Sequence, residues 1–133
     1  MQMTSRVVTV GGLVLGAAGI GVLWAAGVRF PVAVPPGMVI LLAGAAFVGL
    51  ARWRWAPAVG VPLGLFVATG WAISPTGWPN LTGRYGAAVA AGQAVQLIGV
   101  LIAVGAGAVA LRRAGSSARP APRTPPAGPG PGR

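Results

Sequence analysis

The feature that most constrains this chain is a series of four long apolar segments that contain no charged side chain. They cover residues 7–28, 32–51, 56–73 and 86–111. A helix needs about 20 apolar residues to cross a hydrocarbon core of about 30 Å. Backbone N–H and C=O groups in lipid must be hydrogen-bonded within the protein, which favours helices. The pattern predicts an all-α membrane protein, a four-helix transmembrane bundle within residues 1–113.

The four segments differ in how well they suit a membrane-spanning helix. The second contains Pro35 and Pro36, which fit only in a first turn, where a missing N–H donor costs little. The third is short and has Pro57 and Pro62 near its start, so it needs either a thin local bilayer or its flanking tryptophans at the interface. The first segment, behind Arg6, could instead be a cleaved signal peptide. A signal core is about 7 to 15 residues long, and the greater length here favours a retained helix.

The absence of most reactive side chains excludes most kinds of chemistry. All ten charges are arginine, and the chain has no Asp, Glu, Lys, His or Cys. General acid–base catalysis and metal binding depend on those residue types. A serine nucleophile would have no base to activate it. We therefore expect a protein that is not an enzyme and that holds no metal and no cofactor.

The distribution of arginine predicts the orientation in the membrane. With four crossings, both termini and the loop between the second and third helices lie on one side. Eight arginines fall on that side, whereas only Arg29 and Arg84 fall on the other. An excess of arginine marks the cytoplasmic side. We expect a multi-pass protein of the plasma membrane with both termini in the cytoplasm.

Tryptophan and arginine alternate in the stretch ARWRWAP, at the predicted cytoplasmic turn. The same residue types are also used to bind nucleic acid. A turn this short, next to a membrane, is better suited to lipid headgroups, because indoles settle at that level and guanidinium groups pair with anionic phosphates. The expected partners are therefore the lipid bilayer and its anionic lipids, and nucleic acid is disfavoured. The predicted interfacial anchors at the two faces are Arg52, Trp53, Arg54, Trp55, Trp71, Trp78, Arg112 and Arg113.

Small residues recur at three- and four-residue spacing along the predicted helices. Close backbone contact and polar pairs, rather than apolar burial, hold helices together in lipid. Gln96 lies within one such stripe, and Gln93 lies three residues before it. Both are expected to bond a neighbouring helix or a second copy, because a lone carboxamide in lipid costs on the order of several kcal/mol. Alternatively, Gln96 lines a small pathway or ligand pocket with Thr69. The predicted helix-packing residues are Gly12, Gly16, Gly19, Gly60, Gly64, Gly92, Gln96, Gly99 and Ala103.

The loop at residues 74–86 and the C-terminal segment are the main non-membrane parts of the chain. Proline and glycine in the loop favour turns rather than a further helix, and Asn80, although it starts a glycosylation sequon, is expected to cap a turn. Residues 114–133 are rich in proline and arginine, which predicts a disordered, partly polyproline-II cytoplasmic tail. Phosphorylation of Ser116 or Ser117 is expected to weaken its attachment to anionic lipid.

The segment NLTGRYGAAVAAGQAVQLIGVLIAVGAGAVALRR, together with ARWRWAP, resembles small four-helix integral membrane proteins of actinobacteria that have no assigned activity. The resemblance covers roughly Leu41 to Arg113 and implies no functional residues. We expect an accessory or scaffolding membrane protein that packs against a membrane-protein partner or against itself as a homo-oligomer. The alternative is a small pore-forming or permeability protein, such as a holin, or a transporter subunit.

Overall fold

The computed structural model describes residues 2–29 and 35–118, together with Gly128 and Gly130. Within these residues the chain forms helices and no strand, so the all-helical part of the predicted fold class is confirmed. The elements in chain order are α1 (Gln2–Ala25), α2 (Pro36–Leu50), a 3₁₀ turn (Ala56–Val59), α3 (Gly60–Ile73), α4 (Gly77–Leu81) and α5 (Ala87–Ala118).

Three helical stretches are long and apolar enough to cross a membrane. They are Thr4–Ala25, Ala56–Ile73 and Ala87–Ser116, with mean hydropathies of 2.0, 1.6 and 2.3. Helix α2 is apolar too, but it has only 15 residues. At 1.5 Å per residue it is about 22 Å long, which is less than the thickness of a hydrocarbon core. The fourth crossing therefore remains a prediction.

Prolines determine where two of the helices begin. Pro36 occupies the first turn of α2, where no N–H donor is needed. The predicted residues 32–34 of that segment lie outside the described residues. Pro57 lies in the 3₁₀ turn, which leads directly into α3. The two together span 56–73, the same range as the predicted third segment.

Two regions predicted as non-helical contain helix. The loop after α3 includes α4, although only turns were expected there; Pro79 lies in its first turn, where the missing donor is tolerated. Helix α5 ends at Ala118, so the tail cannot begin at residue 114 as predicted. The physical reason is that the first proline of this region is Pro120, and nothing before it removes a helical hydrogen-bond donor. Apart from two glycines, the rest of the predicted tail lies outside the described residues.

The long helices pack antiparallel to their neighbours, with α1 between α2 and α5. Gly12 lies against Ala103 and Gly19 against Gly92, so α1 and α5 run in opposite directions. Helix α2 also runs against α1, since Gly37 faces Ile20 whereas Gly49 faces Val10. Helix α3 packs on α5 in the same antiparallel manner. This topology brings Gln2 of α1, the turn before α3 and the end of α5 to one end of the molecule, and α4 to the other.

The interior of the bundle holds one apolar core. Leu13, Leu41, Val48 and Val100 have no exposed surface, and together with neighbouring small residues they form one apolar core. The outer surface is also apolar, with many large aliphatic and aromatic side chains exposed. These include Val7, Leu15, Leu65, Phe66, Ile98 and Leu101.

Candidate functional site

Helices α1 and α5 are in direct backbone contact through glycines on both helices. A Cβ atom built on Gly12 would lie 2.7 Å from the backbone oxygen of Gly99, and one built on Gly99 would lie 2.6 Å from the backbone oxygen of Gly12. Gly19 faces the backbone of Gly92 and Gln96 in the same way. Only glycine permits helix axes to approach this closely. We call Gly12, Gly16, Gly19, Gly92 and Gly99 the glycine seam.

A second close contact joins α3 to α5. A Cβ on Gly60 would lie 2.7 Å from the backbone oxygen of Ala103, and one on Gly64 would lie 3.1 Å from that of Val100. Gly107 was not among the predicted packing residues, but a Cβ built on it would lie 2.8 Å from the backbone oxygen of Pro57. Its spacing of four residues from Ala103 continues the same stripe, so the sequence signal for it was present.

The two glutamines of α5 pair with each other rather than with another helix. Gln93 Nε2 donates a hydrogen bond of 2.9 Å to Gln96 Oε1, and both side chains are buried. Residues three apart face the same side of a helix, so this pairing needs no second helix. Among the described residues neither glutamine side chain bonds another helix, and the expected bond to a second copy stays a prediction. Of the alternative, a pathway or pocket lined by Gln96 with Thr69, the structure places Gln96 in the lining of a cavity, whereas Thr69 is exposed on α3 and does not line it.

The buried glutamines lie at the floor of a cavity of about 560 Å³ at the α4 end of the bundle. Its volume falls in the range of small-molecule sites, about 300 to 1,000 Å³. Its walls come from α1, α2, α3 and α5, and α4 covers part of its mouth. The polar residues that line it are Arg29, Ser74, Thr76, Asn80, Gln93 and Gln96. The larger apolar residues are Ile20, Leu23, Ile40, Phe66, Val67 and Trp71.

Asn80 lies in the candidate site, a place that no local sequence pattern indicated. Helix α4 buries this side chain to 5% exposure, beside the cavity and a smaller adjoining space of about 480 Å³. Its backbone oxygen accepts a hydrogen bond from Gly83, but its side-chain amide has no hydrogen-bond partner among the described residues. The prediction that the Asn80 side chain caps a turn is therefore wrong. Among the described residues no fully buried side-chain N or O atom lacks a partner, so the amide atoms of Asn80 reach the accessible space of the cavity.

Two tryptophans hold α4 against the end of α3. The Trp71 and Trp78 ring centroids are 4.6 Å apart. Trp71 Nε1 donates to the backbone oxygen of Gly77 at 3.0 Å, and Trp78 Nε1 donates to that of Ala72 at 3.2 Å. Trp78 is largely exposed at this end, whereas Trp71 also lines the cavity. These two predicted anchors thus position the cavity wall as well.

At the opposite end, Arg6 closes the C-terminus of α2. Its guanidinium donates hydrogen bonds to the backbone oxygens of Val48 and Ala51, and to that of Trp53 at 3.0 Å. Cations near the last turn of a helix satisfy its free carbonyls and interact favourably with its dipole. The sequence analysis counted Arg6 only as a positive charge, because no local pattern reveals a contact between residues more than 40 positions apart.

The remaining predicted anchors lie at this same end. Trp53 and Trp55 stack with 5.3 Å between ring centroids and an interplanar angle of 4°, and Phe47 packs tilted against both. Both indoles are exposed, as are the arginines beside them. Arg113 Nη1 donates to Ser5 Oγ at 3.5 Å, which ties the end of α5 to α1. The predicted anchors at this end are Arg52, Trp53, Arg54, Trp55, Arg112 and Arg113.

Comparison with protein-family models, with curated proteins and with solved structures finds no match to this chain.

Proposed function

We propose that this chain is a non-enzymatic integral membrane protein that crosses the plasma membrane four times, with both termini in the cytoplasm. The observation that carries the proposal is the apolar outer surface. Leu65, Phe66 and Leu101 each expose more than half of their surface. Contiguous exposed apolar surface is unfavourable in water, but lipid solvates it well. Three of the helices also have the length and hydropathy to cross a bilayer.

The contacts of α2 support a fourth crossing. This helix runs antiparallel along α1, from Gly37 beside Ile20 to Gly49 beside Val10. It therefore covers much of the depth that α1 covers, although it is short. Small mismatches between a helix and the bilayer are accommodated by local thinning at modest cost. The short α2 is consistent with a thin bilayer around the bundle.

The arginines support the proposed orientation. Arg6, Arg52, Arg54, Arg112 and Arg113 lie at the end of the bundle where α1 begins and α5 ends. Arg29 and Arg84 lie at the other end. The positive-inside rule assigns the arginine-rich end to the cytoplasm. The stacked indoles beside these arginines then lie at the level of the headgroups, where anionic phosphates are the available counter-charges.

Single-cysteine labelling tests the orientation directly, because the natural chain has no cysteine. Thr82→Cys lies after α4 and Ser116→Cys lies near the end of α5, and both positions are exposed. In intact cells a membrane-impermeant maleimide should label the variant at 82 but label the variant at 116 only after permeabilisation. Both should react in detergent, which controls for accessibility. Labelling of the variant at 116 in intact cells would reverse the proposed orientation.

We propose that the role inside the membrane is accessory or scaffolding, through contact with a partner protein or a second copy. The glycine seam and the α3–α5 contact are internal, so such a partner would have to use the outward faces of the helices. Gentle solubilisation of a tagged copy, followed by identification of the proteins that co-purify, tests this role. A solitary monomer at native expression level would contradict it.

The cavity favours a second candidate, a permeability protein or transporter subunit. It enters the bundle from the α4 end and has polar groups on its floor. Below that floor, Leu13, Val48 and Val100 have no exposed surface and fill the interior, so a continuous pore would require several copies. Induced expression with a membrane-potential dye separates the two candidates. Depolarisation with growth arrest supports the pore, and normal growth with an unchanged potential supports the accessory role.

A further inference from the structure

We propose that the α4-end cavity binds one anionic lipid, with the headgroup at Arg29 and the ester linkage against the buried amides. The proposal rests on the membrane location proposed above and goes beyond it by identifying a ligand class. Within the membrane, three amides converge on the cavity. Asn80, Gln93 and Gln96 are each more than nine-tenths buried.

These amides have unused hydrogen-bonding capacity. The single bond between Gln93 and Gln96 leaves one carbonyl oxygen and one amide nitrogen without a partner among the described residues. The side chain of Asn80 has no partner there at all. A carboxamide offers both a donor and an acceptor, so the site suits a neutral polar group such as an ester, amide or hydroxyl. Water alone could occupy it, but the apolar walls and the volume suit an amphiphile.

Arg29 supplies the charge at the mouth of the cavity. It is exposed and lines both the cavity and the adjoining space. The chain contains no acidic side chain, so no side chain of this protein can neutralise this guanidinium. Guanidinium groups bind phosphate and carboxylate through paired, charge-assisted hydrogen bonds. The hydroxyls of Ser74 and Thr76 lie at the same mouth, 3.2 Å from each other.

The relative depth of these groups matches a lipid. Gln93, the shallower of the two glutamines, lies six residues into α5, about 9 Å from the start of that helix. The charged group of a lipid lies at the membrane surface and its ester carbonyls lie deeper, in the same order as Arg29 and the amides. A free phosphate would use only the mouth.

The acyl chains have an exit between α2 and α3. Gly37 and Ile40 of α2 and Phe66 and Gly70 of α3 line this side of the cavity. Phe66 is 66% exposed, and a Cβ on Gly70 would meet no atom within 4 Å. The cavity is too small for two complete acyl chains, so the chains continue through this opening into the surrounding lipid. The occupant is therefore a lipid shared between the cavity and the bilayer.

Native mass spectrometry of the protein in an uncharged detergent tests the proposal. The probes are phosphatidylglycerol, phosphatidylcholine with the same acyl chains, and inorganic phosphate. We expect one bound phosphatidylglycerol, with an affinity at least about tenfold above that of phosphatidylcholine, since only the former has a net negative charge. Phosphate at the same concentration should not compete. Equal binding of both lipids, or displacement of the lipid by phosphate, would overturn the proposal, the latter in favour of a free-anion site.

Two matched pairs of variants locate the bound lipid. Arg29→Gln should abolish the preference for the anionic lipid, whereas Arg84→Gln, at the same end but outside the cavity lining, should retain it. Gly70→Leu fills the exit and should weaken binding of either lipid by about tenfold or more. Gly105→Leu, on the outer face of α5, should leave the affinity for either lipid within about twofold of that of the natural protein.

A folding control completes the test. The thermal midpoint of each variant shows whether it is folded, and only variants with a cooperative transition enter the comparison. Unchanged binding in folded Gly70→Leu would mean that the lipid binds the outer surface and not the cavity. A failure of this kind is distinguishable from failure of the membrane proposal, because maleimide labelling in cells does not depend on a bound lipid.

Discussion

The close contact between α1 and α5 makes Gly99→Ala the most informative single substitution in this protein. The added methyl group would point at the backbone of α1, 2.6 Å from the oxygen of Gly12 and closer still to the nitrogen of Gly16. Backbone atoms cannot rotate away as a flexible side chain can. The helices must therefore separate, which loosens the contacts along the whole glycine seam.

The magnitude follows from two opposing terms. Overpacking of a tight contact costs about 1 to 3 kcal/mol, and this contact is with backbone, so the upper part of that range applies. Replacing glycine by alanine within a helix returns about 1 kcal/mol through helix propensity. The free energy of unfolding should therefore fall by about 1 to 2 kcal/mol, roughly a five- to thirtyfold change in the folding equilibrium.

Gly105→Ala is the matched control, because it makes the same chemical change on the same helix. A Cβ at that position would meet no atom within 4 Å, so only the propensity term applies, and stability should rise by up to about 1 kcal/mol. Unfolding of both variants in mixed micelles of increasing denaturing-detergent fraction, followed by tryptophan fluorescence, measures the difference. If Gly99→Ala proves as stable as Gly105→Ala, the backbone contact between α1 and α5 does not exist as described.

Three further substitutions test other contacts, the first two in the same unfolding assay and the third by limited proteolysis. Arg6→Ala removes the hydrogen bonds to the end of α2 and should lower the free energy of unfolding by about 1.5 to 3 kcal/mol. Arg52 is exposed, and Arg52→Ala should change it by less than about 0.5 kcal/mol. Equal effects of the two substitutions would rule out the helix-capping role. Gln93→Leu leaves Gln96 without its partner and should lower the free energy of unfolding by about 1 to 3 kcal/mol. The double variant Gln93→Leu/Gln96→Leu should recover part of that loss. A double variant less stable than both single variants would contradict this pairing. Trp71→Phe removes the indole donor to α4. The lost hydrogen bond is worth about 1 kcal/mol, so proteolytic cleavage of the 74–86 loop should become several-fold faster. An unchanged cleavage rate would show that this bond does not hold α4.

The sequence alone determined the chemical class of the elements. Lipid-compatible helices follow from the length and apolarity of the segments, because a backbone without water must bond itself, and this argument needs no knowledge of neighbours. The spacing of Gly12, Gly16 and Gly19, and of Gly92 and Gly99, likewise identified one face of each helix. Proline at residue 36 located the start of α2, since a missing N–H donor is tolerated only there.

Only the tertiary structure decided which of these faces meet. The two small-residue stripes face each other across α1 and α5, although each could equally have met another helix or a second copy. The hydrogen bonds of Arg6 to the end of α2, and the burial of Asn80 beside the cavity, arise from parts of the chain that are far apart in sequence. Periodicity in a sequence reports the face of one helix, whereas a contact between helices depends on how two faces fit in space. The seam, the cavity and its amides are therefore properties of packing and could not be derived from local patterns.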